Sequence, residues 1–397
     1  MGRFKIFLLG LQHVFVMAGA TILVPMLTGL PVSLALFTSG LGTLIFHIIT
    51  KRKVPVYLGS SFAYIGGIIV AVGAYYASSG DMSVALAYAT GGIMVAGLVK
   101  IVFGFFIKFI GANHVLKLFP TYLYGTMILL IGLILAPTAI TMASTNWLLA
   151  IVAMGIVIFI SLFTKGFIST FPILLGLFVT YIIAILTSSV DIAHMFTGVK
   201  IFSLPPFILP RFGWFAISAI VPAAFVATVE HIGDIYAVGA IVRKDFTKDP
   251  GLHRTLIGDG LATSVAGFLG GPANTTYSEN TGVLALTKQY NPLIMEVAAV
   301  IAIIISFIPA VDIFLSSIPP AIMGGVSILL FGFIASIGIK SMVHNRVILG
   351  TKEIIVMAVM LCLSIGGATL TTGNFMLSGL GLSAIVGIIL NLILVKK

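Results

Sequence analysis

The sequence predicts an all-α polytopic membrane protein of fourteen transmembrane segments in two inverted repeats of seven. Three observations carry this expectation: the composition, the spacing of the apolar runs and the distribution of cations. The 397 residues are 59% hydrophobic and only 8% charged, with a mean hydropathy of +1.22, whereas soluble domains carry roughly a quarter charged residues. So apolar a chain cannot cover a water-facing surface. A bilayer admits helices because they satisfy their own backbone groups.

A span needs about 20 apolar residues, fewer where its ends lie in protein. Suitable runs fall at 4–25, 31–49, 54–76, 83–107, 118–141, 146–164, 167–189, 213–240, 253–270, 273–287, 292–314, 319–338, 352–369 and 375–394. The first carries Gln12 and His13 and continues to Pro25, so it reads as a span rather than a cleavable signal. The stretch 187–212 reads as a Pro-containing loop with room for short structure. With the N-terminus inside, nineteen Lys and Arg fall at inside ends and loops, Lys100, Lys117, Lys396 and Lys397 among them. The outside keeps two, Lys200 and Arg211. Loop cations favour the cytoplasm, and adding or dropping one span scrambles this division. An even span number with both termini cytoplasmic follows.

The net charge of +10 is therefore topological, since the cations are scattered over helix ends rather than gathered into a nucleic-acid-binding patch. Cys362 is the single cysteine, which excludes an internal disulfide and a CxxC metal or redox site. No HExxH sequence and no Gly-x-Ser-x-Gly elbow is present, so an enzyme is not expected.

Segments three and ten occupy matching places in the two halves. One reads Val56-Tyr-Leu-Gly-Ser-Ser-Phe-Ala-Tyr-Ile-Gly-Gly67, the other Gly270-Gly-Pro-Ala-Asn-Thr-Thr-Tyr-Ser-Glu-Asn-Thr-Gly282. Each opens on an extended-looking Ser-, Thr- and Tyr-rich run that exposes backbone at membrane depth. Such a run is tolerable only against protein or a polar cavity. Broken segments at equivalent positions point to a binding site near the midplane.

Of the 11 acidic residues, Glu230, Asp234 and Glu279 lie within apolar or broken segments. A carboxylate at the bilayer centre costs at least ~2.5–3.5 kcal/mol on insertion scales, so it implies a function or a partner. Glu230 and Asp234 are four apart and share a helix face, where two negative charges repel. A group poised between charged and neutral forms is what proton coupling needs. Glu279 opens the helical half of segment ten, where a carboxylate also suits a capping role. His231 points about 100° away from Glu230, so Glu230, His231 and Asp234 form a poor metal constellation and a hydrogen-bonded histidine is expected. Asp259 in Ile257-Gly-Asp-Gly260 reads as a helix-end cap or tether near the cytoplasmic side. Gln12 and His13 read first as interhelical hydrogen-bonding groups and second as cavity wall. Glu296 is assigned no role.

The run Glu279-Asn-Thr-Gly-Val-Leu-Ala-Leu-Thr-Lys288 resembles the signature of the nucleobase–ascorbate transporter (NCS2) family. Gln12-His13, Tyr57-Leu-Gly-Ser-Ser-Phe62, Glu230-His231 and Asp249-Pro-Gly-Leu-His-Arg254 resemble it too, over nearly the whole chain, and most of all its bacterial uracil-permease branch. The resemblance implies a core domain of residues 1–115 and 212–316 and a gate domain of 116–211 and 317–397. It also implies short antiparallel strands in segments three and ten. It implies proton-coupled uracil symport across the cytoplasmic membrane by alternating access, with no cofactor beyond the proton and a homodimer formed through the gate. On this pattern Glu230 and Glu279 accept the ring N–H groups, and the backbone N–H groups of Phe62 and Ser278 reach the ring oxygens. Ala20, Tyr277 and Phe331 wall the pocket, and Glu230, Asp234 and Glu279 serve proton coupling. Asp234 stands where a uracil carrier has histidine, and Asp there is familiar from purine carriers, which keeps a xanthine- or urate-type carrier as the alternative. Purine carriers have Gln where this chain has Glu279. Ser278 replaces a glycine. A more remote alternative is an anion channel or exchanger on the same fold.

Overall fold

The computed structural model describes residues 2–111, 119–190, 195, 197–344, 346–372 and 375–394. Lys117, Lys396 and Lys397 lie outside the described residues. The first half comprises α1 (Arg3–Thr28), α2 (Val32–Ile49), β1 (Leu58–Ser60), a 3₁₀ turn at Phe62–Tyr64, α3 (Ile65–Ser79), α4 (Met82–Ile110), α5 (Thr121–Ala143), α6 (Trp147–Phe163) and α7 (Pro172–Leu186). The second comprises α8 (Trp214–Ile220), α9 (Pro222–Val242), α10 (Leu252–Leu269), β2 (Asn274–Thr276), α11 (Ser278–Thr287), α12 (Leu293–Ser306), α13 (Pro309–Ser316), α14 (Pro320–His344), α15 (Thr351–Ile365), β3 (Thr369–Thr372), β4 (Phe375–Ser378) and α16 (Gly379–Leu394).

A helix overlies each of the fourteen expected segments. Among the described residues, seven are individually long and apolar enough to cross a membrane, or eight when the pair α12 and α13, bent by 83°, is taken as one span. Segment three, expected to be broken, still holds an apolar helix of spanning length at Phe62–Ser79, while Trp147–Phe163, Pro172–Leu186 and Gly379–Leu394 are shorter than the continuous spans expected there. Segment eight is divided at Pro222, which starts α9 where its missing N–H costs nothing. The 187–212 loop has no helix among its described residues. It is pinned by backbone bonds from Ser203 to Phe307, Ile208 to Leu269 and Arg211 to Ala87. Thr369–Thr372 and Phe375–Ser378, expected as a helix end with the link after it and as a helix start, pair as antiparallel strands instead, with Thr369 opposite Ser378. Thr369-Leu-Thr-Thr372 is rich in β-branched residues, which favour extended backbone.

The helices pack in two groups. In one, α4 lies on α10, α2 on α10 and α12, and α1 on α12; in the other, α5 lies on α14, α6 on α7 and α14, and α15 on α16. The strand pair β1–β2 belongs to the first group.

The cation tally needs one correction. Lys100 is not an end or loop residue: it lies inside α4, wholly buried, with Nζ 2.6 Å from Asp259 Oδ2. Asp259 is likewise no helix-end cap, since it sits well inside α10 and is also wholly buried.

Close approach of α4 and α10 makes this pair possible. A Cβ at Gly97 would stand 2.4 Å from the Ser264 backbone nitrogen and 2.6 Å from the Gly260 carbonyl oxygen. Small residues at such crossings let helix backbones meet in a bilayer. Gly97→Val is therefore expected to force the pair apart, at a cost of about 3 kcal/mol. Fluorescence-detected size exclusion should show loss of the monodisperse peak; a wild-type profile and melting temperature would contradict this contact.

Candidate functional site

The two broken segments complete each other. β1 and β2 are three residues each and pair antiparallel, with Leu58 opposite Thr276, Gly59 opposite Thr275 and Ser60 opposite Asn274. Two more bonds extend the ladder: Ser61 N–H donates to Ala273 O at 2.8 Å, and Tyr277 N–H to Tyr57 O at 3.0 Å. A two-stranded ladder leaves outer edges that must be satisfied inside a bilayer. Side chains do this. The hydroxyls of Ser39 and Thr43 donate to Leu58 O, Leu58 N–H donates to Thr43 Oγ1, and Thr263 donates to Asn274 O. Asn274 reaches Thr38 O, and His47 Nε2 lies 2.9 Å from Val56 O.

Each strand runs directly into a helical start, the 3₁₀ turn at Phe62 and α11 at Ser278. Antiparallel pairing sends the two helices away from the cross in opposite directions. Their first N–H groups, which lack intrahelical acceptors, are left around it. Such ends attract carbonyl oxygens and negative charge.

A cavity of about 790 Å³ opens at this place. Phe62, Glu230, Asp234, Tyr277, Ser278 and Glu279 line one side; Phe119 and Tyr124 at the start of α5, and Ser341 and His344 at the end of α14, line the far part. Glu230 and Glu279 are half-buried, and Glu230 Oε2 has no hydrogen-bond partner among the described residues. Asp234 is buried, with both oxygens engaged: the Thr276 hydroxyl donates to Oδ2 at 2.6 Å and the Ser278 hydroxyl to Oδ1. No salt bridge among the described residues involves Glu230, Asp234 or Glu279.

The structure thus brings six of the expected site residues to one cavity. Ala20 and Phe331 are buried but are not among the residues lining it. Phe331 stands behind Phe62, ring centroids 6.1 Å apart and edge to face. Gln12 and His13 form interhelical bonds, Gln12 with Thr170 and His13 with Asn280, and stand outside the lining. His231 turns away from the cavity to Asp259, Nδ1 3.2 Å from Oδ2.

A family model described as "Permease family" (Xan_ur_permease) matches residues 4–373. The chain belongs to this family. It is the nucleobase–ascorbate transporter group to which the motifs pointed. The permease is 43% identical over 403 residues to the uracil permease of Bacillus caldolyticus, covering 97% of this chain and 91% of that one. It is 40% identical over 406 residues to the uracil permease of Bacillus subtilis strain 168, covering 97% and 91%. Against that of Escherichia coli K12 it is 36% identical over 397 residues, covering 97% and 90%. Among solved structures, the transmembrane domain of the cyanobacterial bicarbonate transporter BicA superposes with a TM-score of 0.65 at 14% identity, covering 98% and 96%. The murine anion transporter Slc26a9 in its inward-facing state gives 0.72 at 11% identity, covering 99% and 68%. These two share the permease's fold.

Sequence reasoning missed Thr276, the second hydroxyl on Asp234, and Lys100. A signal for Lys100 existed. It lies in an apolar run more than two helical turns before Lys108, too deep for its ammonium to be explained by a helix end.

Gly59 shows how tightly the cross is built. A Cβ there would meet the Tyr277 ring at 2.4 Å and Thr21 Oγ1 at 2.7 Å. The Tyr277 hydroxyl donates to Ser60 O at 2.9 Å and accepts from Thr21. Gly59→Ala in the permease is expected to push the ring off these partners and cost about 1–3 kcal/mol. The check is the melting temperature of the purified protein, and an unshifted value would show that the ring yields freely.

Proposed function

We propose that this chain is a proton-coupled uracil carrier of the cytoplasmic membrane. The observation that carries the reading is three carboxyl groups, Glu230, Asp234 and Glu279, around one cavity beside two helix starts, with no ion-pair partner among the described residues. Unpaired carboxylates at membrane depth are costly. Protons and a ligand rich in N–H groups both relieve that cost. A planar imide offers ring N–H groups to Glu230 and Glu279, and ring oxygens to the N–H groups at Phe62 and Ser278. Tyr277 walls the pocket, with Ala20 and Phe331 behind it. The uracil permeases similar to this chain at 36–43% identity support the choice of base.

In this reading residues 1–115 and 212–316 form a core carrying the site, and 116–211 and 317–397 form a gate. The two helix groups of the fold supply the parts that move. Both termini are cytoplasmic, so the ends of α5 and α14 mark the cytoplasmic mouth of the cavity. Protonation at Glu230, Asp234 or Glu279 favours loading, the core moves against the gate, and base and proton leave together. The molecule works as a homodimer through the gate.

Labelled uracil should enter proteoliposomes several-fold faster under an inward proton gradient, and an uncoupler should abolish the difference. Uptake indifferent to both would reject coupling, and stronger competition by unlabelled xanthine than by uracil would reassign the substrate. In a second measurement, Glu230→Gln and Glu279→Gln should each reduce equilibrium uracil binding by at least about 100-fold, about 3 kcal/mol for a lost charge-assisted hydrogen bond. Asp234→Asn should spare binding more than transport. Full binding by both Glu variants would remove these residues from the site.

A further inference from the structure

Behind the cavity, on the side away from it, lies a charged cluster to which the transport reading gives no task. Lys100 of α4, Asp259 of α10 and His231 of α9 have wholly buried side chains. Asp259 Oδ2 stands 2.6 Å from the Lys100 ammonium and 3.2 Å from His231 Nδ1. The ammonium also donates to the backbone carbonyl of Asn274 at 3.4 Å. Thr263, one turn beyond Asp259 on the same helix, donates to that carbonyl at 2.9 Å.

Each partner is one short step from the site. Asn274 begins β2, which leads through Tyr277 to Ser278 and Glu279. His231 is the neighbour of Glu230, so its hold on Asp259 fixes the rotation of α9 that turns Glu230 to the cavity. A single carboxylate therefore ties both walls of the site to α10, one through an ammonium and the other through an imidazole.

We propose that Lys100, Asp259 and His231 are positioning residues that fix Glu230 relative to β2 and the first turn of α11. The inference rests on the transport reading for its substrate, but its mechanical part does not. Lys100 touches the strand rather than the ligand. It forms a neutral pair with Asp259, so that no cation among the described residues is paired with the three cavity acids. Binding geometry depends on such supporting contacts because small misplacements of ligand-contacting groups lower affinity steeply.

The test uses Lys100→Met/Asp259→Asn, which removes both charges together, since a buried pair replaced as a pair is often tolerated where loss of one partner is not. Hydrogen exchange of the peptide covering 270–282, measured on the full chain in nanodiscs, should accelerate at least about tenfold while the melting temperature stays near wild type. In proteoliposomes the uracil KM should rise about tenfold with Vmax within about twofold and with the response to a proton gradient intact. His231→Leu, which leaves the Lys100–Asp259 pair in place, should raise KM in the same way.

Wild-type exchange together with wild-type KM in the double variant would overturn the proposal. So would an unchanged KM with a lost gradient response, which would make the cluster a proton relay. If the double variant does not fold and His231→Leu keeps the wild-type KM, the cluster serves folding alone and the proposal fails. Failure of the wild-type protein to take up uracil would count against the transport reading, while the exchange measurement would still decide the junction.

Discussion

Unpaired backbone at membrane depth is the constraint from which the rest of this molecule follows. A helix that stops halfway leaves N–H and C=O groups that hydrocarbon cannot satisfy. Here two interrupted segments, more than two hundred residues apart in sequence, satisfy each other through a three-residue ladder. The ladder is too short to stand alone. Ser39, Thr43, Thr263, His47 and Lys100 supply the outer edges with partners from α2, α4 and α10. Having solved its own hydrogen-bonding problem, the cross is left with two helix starts facing a cavity.

Charge is handled with the same economy. The buried cation Lys100 is paired with Asp259, and His231 leans on the same oxygen. Asp234 has both oxygens taken by hydroxyls from β2 and α11, whereas Glu230 keeps one oxygen without a partner. Three acids of one cavity thus stand in different situations. Asp234 braces α9 against the strand it faces, and Glu230 Oε2 is left without a hydrogen-bond partner among the described residues.

Much of this was legible in the residues. Apolar spacing placed helices near their observed limits because a span has a length imposed by the bilayer. The paired broken segments were visible because Gly, Ser and Thr crowd positions that a lipid-facing helix fills with Leu or Ile. What escaped depended on which helix faces which. Charge statistics count Lys100 among the cytoplasmic helix ends and loops, although the packing of Gly97 against Gly260 brings α4 close enough to bury it. The engagement of Asp234 with Thr276 and Ser278 was equally hidden, since α9 and β2 meet only after folding. The pairing of Thr369–Thr372 with Phe375–Ser378 was missed because a short β-branched run between apolar stretches is indistinguishable from helix ends by hydropathy alone.

The cavity draws its near side from α9, β2 and α11 and its far part from α5 and α14, helices that pack chiefly with different neighbours. If the transport reading holds, a guest in this cavity would act as a spacer between the two helix groups. One that satisfies the near side yet carries a bulky substituent toward the far part can dock and still prop the bodies apart. On that reading selection for passage would be stricter than selection for docking, and ring substituents pointing toward α5 and α14 would give compounds that occupy the protein without crossing it.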